Sequence, residues 1–289
     1  MIPLGLRCLL ELLGTAALVY IGCGAMLSSG EVAAVTLGFG LVVGLMVVTI
    51  GPRSGAHINP AVTIGFAIDR QFSWGEVVPY VLSQMLGGLL GVLGLAVSFS
   101  AYSSGQLAVR ADITGPNVAL SEIAAPNVTA LNDTAANVNS PNATSSDEEQ
   151  PVSRLQAIGR ATGTFPGGAK DRGPGTEREN RFTGAFVAEV LHSVFLMGVI
   201  LAIVHDAKEE GGKCALVIGS TVAALCAAGG AAQASMNPAR TFWCNLFADR
   251  ADTLLLYVVA PVLGAAISAL AARFLRSRSL NSSSAAPEA

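Results

Sequence analysis

Six long apolar runs constrain what this chain can fold into more than any other feature of its sequence. A helix that crosses about 30 Å of hydrocarbon needs roughly 20 apolar residues, and each run approaches that length. The runs are also rich in Gly and Ala, which lets membrane helices approach one another closely. The sequence therefore predicts an all-α membrane protein with six transmembrane helices, expected at Cys8–Leu27, Val32–Ile50, Val77–Phe99, Phe182–Val204, Ala215–Ala232 and Thr253–Phe274.

The composition agrees with a membrane protein whose main surroundings are the lipid bilayer. Hydrophobic residues make up 52% of the chain and charged residues only 13%, and the mean hydropathy of +0.55 is too high for a soluble domain. A net charge of −3 gives no reason to expect a nucleic-acid partner. The five cysteines suit neither a disulfide ladder nor a zinc site. No nucleophile–base pair is visible, so we expect no metal, no cofactor and no enzyme.

The tripeptide Asn-Pro-Ala occurs twice, in SGAHINPAVT (54–63) and in ASMNPART (234–241). Asn59 and Asn237 are 178 positions apart, and the same spacing separates Glu11 from Glu189, the two carboxylates that lie deep within apolar runs. The chain therefore consists of two repeats. Because each repeat holds three spans, an odd number, the second repeat must be inverted across the membrane, as in other inverted-repeat membrane proteins.

Asn-Pro-Ala is also a strong signal for the start of a helix. Asn is a favoured N-cap, and Pro fits the first helical turn. The sequence predicts two re-entrant half-helices, at about 59–68 and about 237–247, with an extended segment before each. Their N-termini, which each carry about half a positive charge, would meet at mid-membrane and oppose cations. Backbone carbonyls of the extended segments would line a pore, and the residues expected there are Gly55, Ala56, His57, Gln233 and Ser235.

The region 100–181 differs from the rest of the chain. It is rich in Asn, Ser, Thr, Pro and Gly and has no sustained periodicity, which predicts a long, largely disordered loop. It separates a first repeat at 1–99 from a second at 182–275, and a tail at 276–289 follows. Basic residues near the span ends predict cytoplasmic termini and an extracellular loop, in the plasma membrane. Three acceptor sequons in the loop predict glycosylation of Asn127, Asn132 and Asn142.

Taken together, these features resemble the aquaporins, the major intrinsic protein family. The resemblance rests on the two Asn-Pro-Ala segments, the Glu11 and Glu189 helices, Gln84 in the third run and Ala260-Pro261 in the last. It covers all six spans and both half-helices. It implies a passive channel for water, with small neutral solutes as further candidates, that excludes protons and ions. It also implies a homotetramer in which each protomer holds its own pore.

The resemblance assigns roles to particular residues. The motif residues that it carries over are Asn59, Pro60, Ala61, Asn237, Pro238 and Ala239. The two asparagines would donate amide hydrogens to a solute oxygen, so that a water held between them cannot pass on a proton. Glu11 and Glu189 would accept hydrogen bonds from backbone N–H groups of the extended segments. The constriction that selects solutes would be formed by Phe39, Cys226, Ala234 and Arg240.

Two details of that constriction stay open. The position in the fifth span falls on Cys226 or, with a different alignment gap, on Leu225; we favour Cys226 because Gly219 then aligns. Water-selective members carry a histidine there, and the fifth span has none. Glycerol-conducting members carry an Asp after the arginine, whereas this chain has Thr241. Water, glycerol and hydrogen peroxide are therefore all candidate solutes.

Other functions and roles compete with these. A coupled secondary transporter could use the same inverted repeat, and the long loop is also typical of a junction or adhesion protein. His57 is expected to line the pore, with gating as an alternative role. The pair Glu189 and His192 has the Glu-x-x-His spacing of a metal site, but a second copy of that pattern is missing.

Overall fold

The computed structural model of the protein describes residues 2–28, 31–100, 153–164, 176–206, 211–229 and 234–283. Within these ranges the chain forms helices and no strand, so the predicted all-α membrane fold is confirmed. In chain order the helices are α1 (Leu4–Ser28), α2 (Val32–Thr49), α3 (Gly51–Ser54), α4 (Pro60–Ile68), α5 (Trp74–Ser98), α6 (Arg154–Thr162), α7 (Thr176–Asp206), α8 (Gly211–Ala227), α9 (Pro238–Phe247) and α10 (Leu254–Ser283). A 3₁₀ turn at Ala251–Thr253 precedes α10.

Six of these helices lie where the sequence predicts spans. Five of them, α1, α2, α5, α7 and α10, are long and apolar enough to cross a membrane, while α8 is apolar but has 17 residues. The fifth span was expected to continue to Ala232; α8 ends at Ala227, and residues 230–233 lie outside the described ranges. Large apolar side chains such as Leu41, Leu82 and Leu255 are more than 60% exposed, which suits contact with lipid.

The two half-helices, α4 and α9, have the bounds that their start signals predict. Each follows an extended asparagine that caps its first turn: Asn59 Oδ1 accepts a hydrogen bond from Ala61 N at 2.9 Å, and Asn237 Oδ1 accepts one from Ala239 N at 3.0 Å. A proline occupies the first helical position in both, where its missing N–H is not needed. The half-helices are mostly buried and contact each other inside the bundle.

The two repeats pack in equivalent ways. In the first repeat α1 lies against α5, in the second α7 lies against α10, and α2 packs on α8 to join the repeats. At that junction a Cβ added to Gly40 would lie 2.7 Å from Gly219 O, and one added to Gly219 would lie 2.6 Å from Gly40 O. In the first repeat a Cβ on Gly87 would lie 2.3 Å from Leu12 O. Any larger residue would therefore force the helices apart.

The 100–181 region corrects one expectation in its described part. We expected a largely disordered loop there, but residues 154–162 form α6, and α7 begins at Thr176, ahead of the expected Phe182. A capping box starts α6: Ser153 Oγ accepts from Gln156 N at 3.2 Å, and Gln156 Oε1 accepts from Ser153 N at 3.0 Å. A helix of nine residues between polar flanks produces no long apolar run, so composition alone did not reveal it.

This short helix belongs to the protein core. Ala157 and Ile158 are fully buried, and α6 packs against α1, α5 and α9. Gly159 lies so close to α9 that an added Cβ would be 2.6 Å from Cys244 O and 2.5 Å from Ala248 N. The loop therefore contributes a buried layer next to the second half-helix.

Two other predictions concern the regions outside the repeats. The tail expected from residue 276 begins inside α10, which continues to Ser283. The predicted glycosylation sites Asn127, Asn132 and Asn142 lie outside the described residues, so their glycosylation stays a prediction.

Candidate functional site

A cavity of about 470 Å³ lies between the two repeats. Its wall includes both Gly211, the first residue of α8, and Cys226, close to the end of that helix. At about 1.5 Å of rise per residue these positions are roughly 22 Å apart, most of the thickness of a hydrocarbon core. The cavity is therefore a passage along the bundle rather than a local pocket. Most of its wall is aliphatic, and its polar lining residues include His57, Asn59, Gln71, Ser235, Asn237 and Arg240.

In the passage, each of the two motif asparagines forms a hydrogen bond with the backbone of the other repeat. Asn59 Nδ2 donates to Met236 O at 2.8 Å, and Asn237 Nδ2 donates to Ile58 O at 2.9 Å. Their Oδ1 atoms accept the capping bonds of α4 and α9, so each amide is fixed in its orientation. Each NH₂ group has two hydrogens. One hydrogen on each amide is thus left to face the cavity that both residues line.

The extended segments that lead into the half-helices have an unusual, matched backbone. Ala56 and Ile58 in the first repeat and Ala234 and Met236 in the second have positive φ angles between 41° and 53°. Such angles are disfavoured for residues with a side chain, and they persist where surrounding contacts hold them. The same strain recurs at the same positions of both repeats, which points to a requirement of the passage.

Two buried carboxylates hold these segments in place. Glu11 accepts from the backbone N–H groups of His57 at 2.9 Å and Ile58 at 2.6 Å. Glu189 accepts from those of Ser235 at 2.6 Å and Met236 at 2.8 Å. Both carboxylates are fully buried, and each satisfies two backbone donors that have no helix or sheet partner.

The supporting contacts of the two repeats are not identical. Glu11 also accepts hydrogen bonds from Ser54 Oγ at 2.8 Å and Gln84 Nε2 at 2.9 Å. The same Gln84 nitrogen lies 2.9 Å from Thr63 Oγ1. Among the described residues, Glu189 has only its two backbone donors. The first repeat thus carries a denser polar network within its own spans.

All four residues proposed for the constriction line the cavity: Phe39, Cys226, Ala234 and Arg240. Leu225 and Cys226 both pack against the hydrophobic core, but Leu225 does not line the cavity. The Arg240 guanidinium carbon lies 5.2 Å from the centre of the Phe39 ring, a cation–π distance. Arg240 is 5% exposed, so its charge is held in a narrow, protein-lined space.

Two further side chains contact the Arg240 guanidinium. Nη2 lies 3.4 Å from Met26 Sδ, and Nη1 lies 3.4 Å from Thr241 Oγ1. Met26 lines the cavity as well, and the sequence did not identify it because a methionine in an apolar run has no distinguishing pattern. A thioether is a weak acceptor, so these contacts orient the arginine without neutralising its charge.

His57 lies in an aromatic cluster on the other side of the asparagines. Its ring stacks on Phe66 at a centroid distance of 4.7 Å and contacts Phe72 at 4.8 Å and Tyr80 at 5.4 Å. Its Nδ1 is 3.2 Å from Thr63 Oγ1. His57 lines the cavity, as do Gly55, Ala56 and Ser235; Gln233 lies outside the described residues.

A charged cluster lies near Gln71, at the end of the passage away from Arg240. The side chain of Asp69, at the C-terminal end of α4, is fully buried and forms an ion pair with Arg276 of α10. His205 Nε2 lies 3.3 Å from Asp69 Oδ2 and 2.9 Å from Gln71 Nε2. The sequence did not reveal this cluster, because its members come from three distant segments.

His192 has no metal-site partners in the described part of the chain. Its Nδ1 is buried without a hydrogen-bond partner, and no group of three or more His, Cys, Asp or Glu side chains there could hold a metal. The Glu189 carboxylate faces the backbone of the extended segment instead.

Both the sequence and the fold are similar to those of known proteins. The sequence matches the family model described as Major intrinsic protein over residues 4–144 and 168–272. It is 27% identical to Aquaporin NIP1-1 of Zea mays in an alignment of 282 positions that covers 95% of this chain and 76% of that protein. It is 28% identical to Aquaporin AqpM of Methanothermobacter thermautotrophicus in an alignment of 307 positions that covers 96% of this chain and 100% of that protein. The fold resembles the solved aquaglyceroporin from Plasmodium falciparum, with a TM-score of 0.62, 21% identity and coverage of 93% and 95% of the two chains.

Proposed function

Since the chain belongs to the major intrinsic protein family, whose members are channels in the membrane, we propose that it conducts water and small neutral solutes passively and excludes protons and ions. The observation that carries this proposal is the pair of asparagines, Asn59 and Asn237, which each donate to a backbone carbonyl of the other repeat and line a passage between the repeats. The passage has donors and acceptors for a neutral polar solute. Among the described residues, no group of three or more His, Cys, Asp or Glu side chains could hold a metal ion.

Proton exclusion follows from the free amide hydrogens of Asn59 and Asn237. A water between the two residues would accept a hydrogen bond from each, which occupies both of its lone pairs. It could then receive no proton from a neighbouring water, and the file of hydrogen bonds would be interrupted at that point. The N-termini of α4 and α9 add a positive potential of about half a charge each and oppose hydronium ions.

Cation exclusion is a second task, and Arg240 fits it. A fixed positive charge in a narrow passage raises the energy of every entering cation, and the surrounding protein weakens screening by solvent. A neutral solute meets no such barrier and gains hydrogen bonds from the guanidinium. Charge and donors at one position therefore serve both rejection of ions and passage of solutes.

Glycerol or hydrogen peroxide as an additional solute is the second candidate function. The constriction carries Cys226 and Ala234, two small side chains, beside Phe39 and Arg240. A small thiol leaves more room than an imidazole, and an aromatic ring beside an arginine can hold both the carbon and the hydroxyl face of a polyol. A solved structural neighbour is named an aquaglyceroporin, which also favours this candidate.

Stopped-flow light scattering on proteoliposomes tests the proposal. Water, glycerol, urea and hydrogen peroxide are compared in vesicles with and without the purified protein. We expect water flux well above that of empty vesicles, unaffected by sodium or proton gradients. Flux that requires either gradient would instead support the coupled secondary transporter, and flux equal to that of empty vesicles would refute a channel.

Assembly, orientation and the long loop belong to the same proposal. A homotetramer in the plasma membrane, with cytoplasmic termini and glycans on Asn127, Asn132 and Asn142, is the arrangement that we expect. A glycosidase shift that persists without the three loop sites and depends on Asn281 would reverse the orientation. Normal water flux but lost cell contacts after deletion of residues 104–178 would add a junction or adhesion role.

A further inference from the structure

The motif threonines Thr63 and Thr241 occupy the same position in the two repeats but have different partners. In the first repeat Gln84 Nε2 of α5 donates to Thr63 Oγ1 at 2.9 Å. The position equivalent to Gln84 in the second repeat, 178 residues later, is Val262 of α10. A valine side chain has no polar atom. The second threonine therefore cannot obtain the equivalent hydrogen bond from this position of α10.

Thr164, from the loop between the repeats, takes that place. Its Oγ1 donates to Thr241 Oγ1 at 3.1 Å, and Thr164 is fully buried. Ser235 Oγ, which also contacts Thr241 Oγ1, donates to Asn237 O at 3.3 Å. The proton between Ser235 and Thr241 is then supplied by Thr241. Thr241 Oγ1 is thereby left as the acceptor for Thr164 and for Arg240.

Asn245 of α9 fixes Thr164 at this point. Its Oδ1 accepts from Thr164 N at 2.9 Å, and its Nδ2 donates to Thr164 O at 2.7 Å and to Thr253 Oγ1 at 2.8 Å. Asn245 is fully buried, so these bonds are made without competing solvent. The equivalent position in the first repeat is Ala67, which can form none of them. This side-chain anchor is present only in the second repeat.

The contact reaches the constriction through Arg240. Thr241 Oγ1 is the one side-chain oxygen within hydrogen-bond distance of its guanidinium among the described residues, and the other contacts are Met26 Sδ and the Phe39 ring. These two partners limit the position of the arginine but accept hydrogen bonds weakly. A displaced Thr241 would leave Arg240 less well oriented.

We infer that the loop segment Ser153–Thr164 helps to determine the geometry of the solute constriction. Thr164 and Asn245 are positioning residues that orient Arg240 through Thr241. The inference rests on the proposed function, because it concerns the selectivity of that channel. In the second repeat the loop supplies the polar support that Gln84 supplies in the first.

The glycerol-to-water permeability ratio of the full-length protein in proteoliposomes tests this inference. Thr164→Val removes the hydroxyl with little change in shape, and Asn245→Asp keeps the acceptor but loses both donated bonds. Each should raise the ratio about fivefold, the effect of one hydrogen bond of typical net strength. Thr164→Ser, which keeps the hydroxyl, should restore the ratio to within about twofold of wild type.

Thr162→Val is the matched control, because the Thr162 hydroxyl is buried in the same segment but donates to Ile158 O at 2.8 Å within α6. A wild-type ratio in both Thr164→Val and Asn245→Asp would overturn the inference, as would an equal rise in Thr162→Val. If one of these two variants fails to assemble, the permeability ratio of the other is compared with that of Thr164→Ser, and the same criterion applies. Wild-type vesicles no faster than empty ones would refute the proposed function itself, a result distinct from an unchanged ratio in a conducting channel.

Discussion

At their N-termini α4 and α9 carry the same asparagine cap, the same proline and the same cross-repeat hydrogen bond, whereas their C-terminal ends are held in different ways. The end of α4 is held by charged groups: Asp69 pairs with Arg276, and Arg273 Nη1 donates to Ile68 O at 3.0 Å. The end of α9 is held by neutral groups, through Asn245 and the loop residue Thr164.

The carboxylates show the same contrast. Among the described residues, Glu11 accepts four hydrogen bonds, two of them from the side chains of Ser54 and Gln84, while Glu189 accepts two, both from backbone N–H groups. The first half-helix is therefore stabilised from within the membrane spans and the C-terminal helix. The second depends more on a segment outside the repeats. The two motif segments have the same geometry at the cavity, while their supporting contacts differ.

The largest effect should come from removing the carboxylates. Glu11→Ala leaves two buried N–H groups without an acceptor and removes two side-chain bonds, and at about 1–3 kcal/mol for each unsatisfied group it should lower the melting temperature strongly. Glu189→Ala should lower the melting temperature as well, but by less. Thermal unfolding of each purified variant in detergent measures the difference. An equal or larger loss in Glu189→Ala would contradict the proposed asymmetry of supports.

The next effect concerns the ionic support of α4. Arg276→Ala leaves the carboxylate of Asp69 buried without its arginine, and we expect about 2 kcal/mol of lost stability, less than for a wholly buried pair because Arg276 is part-exposed. Arg278→Ala is the control: Arg278 lies 4.8 Å from the centre of the Phe274 ring at an exposed position, and its loss should change stability by under about 0.5 kcal/mol. Equal melting temperatures of the two variants would show that the ion pair contributes nothing.

A third change makes the passage more symmetric. The position equivalent to Arg240 in the first repeat is Val62, which also lines the cavity. Arg240→Val should leave water flux within about twofold of wild type but raise proton or cation leak roughly tenfold, because the fixed charge is lost. A pH-sensitive dye inside the proteoliposomes measures the leak. A proton-tight variant with unchanged solute selection would show that Arg240 is not part of the constriction.

The smallest effect is expected at Cys226. Cys226→His should narrow the opening and lower glycerol passage relative to water by about threefold, a typical size for one altered contact. A mercurial should block the wild type but not Cys226→Ser. Leu225→His is the matched control, since Leu225 is the neighbouring residue and does not line the cavity. If solute passage responds to Leu225→His and not to Cys226→His, then Leu225 and not Cys226 lies at the constriction.

Features encoded by short stretches were predictable from the sequence, and features formed by distant segments were not. The bounds of α4 and α9 follow from their Asn-Pro starts, and the spans follow from their apolar length. The contact of Thr164 with Asn245 joins residues 81 positions apart, and that of Asp69 with Arg276 joins residues 207 apart. No periodic pattern connects such positions. The helix α6 was missed because it is short and lies in polar sequence, although its Ser153–Gln156 capping box is a local signal.

The cross-repeat bonds of the two asparagines have a consequence for how the protein is made. The Asn59 amide obtains its partner carbonyl from Met236, which the ribosome adds 177 residues later, and Asn237 in turn needs Ile58. Until the second repeat has been inserted, the Asn59 amide therefore lacks this carbonyl partner and is either unpaired or bonded to water. Closing the centre is a late event in biogenesis, and a chain cut short before residue 236 cannot complete it. In the channel that we propose, conduction therefore requires that both Asn-Pro-Ala segments have been synthesised.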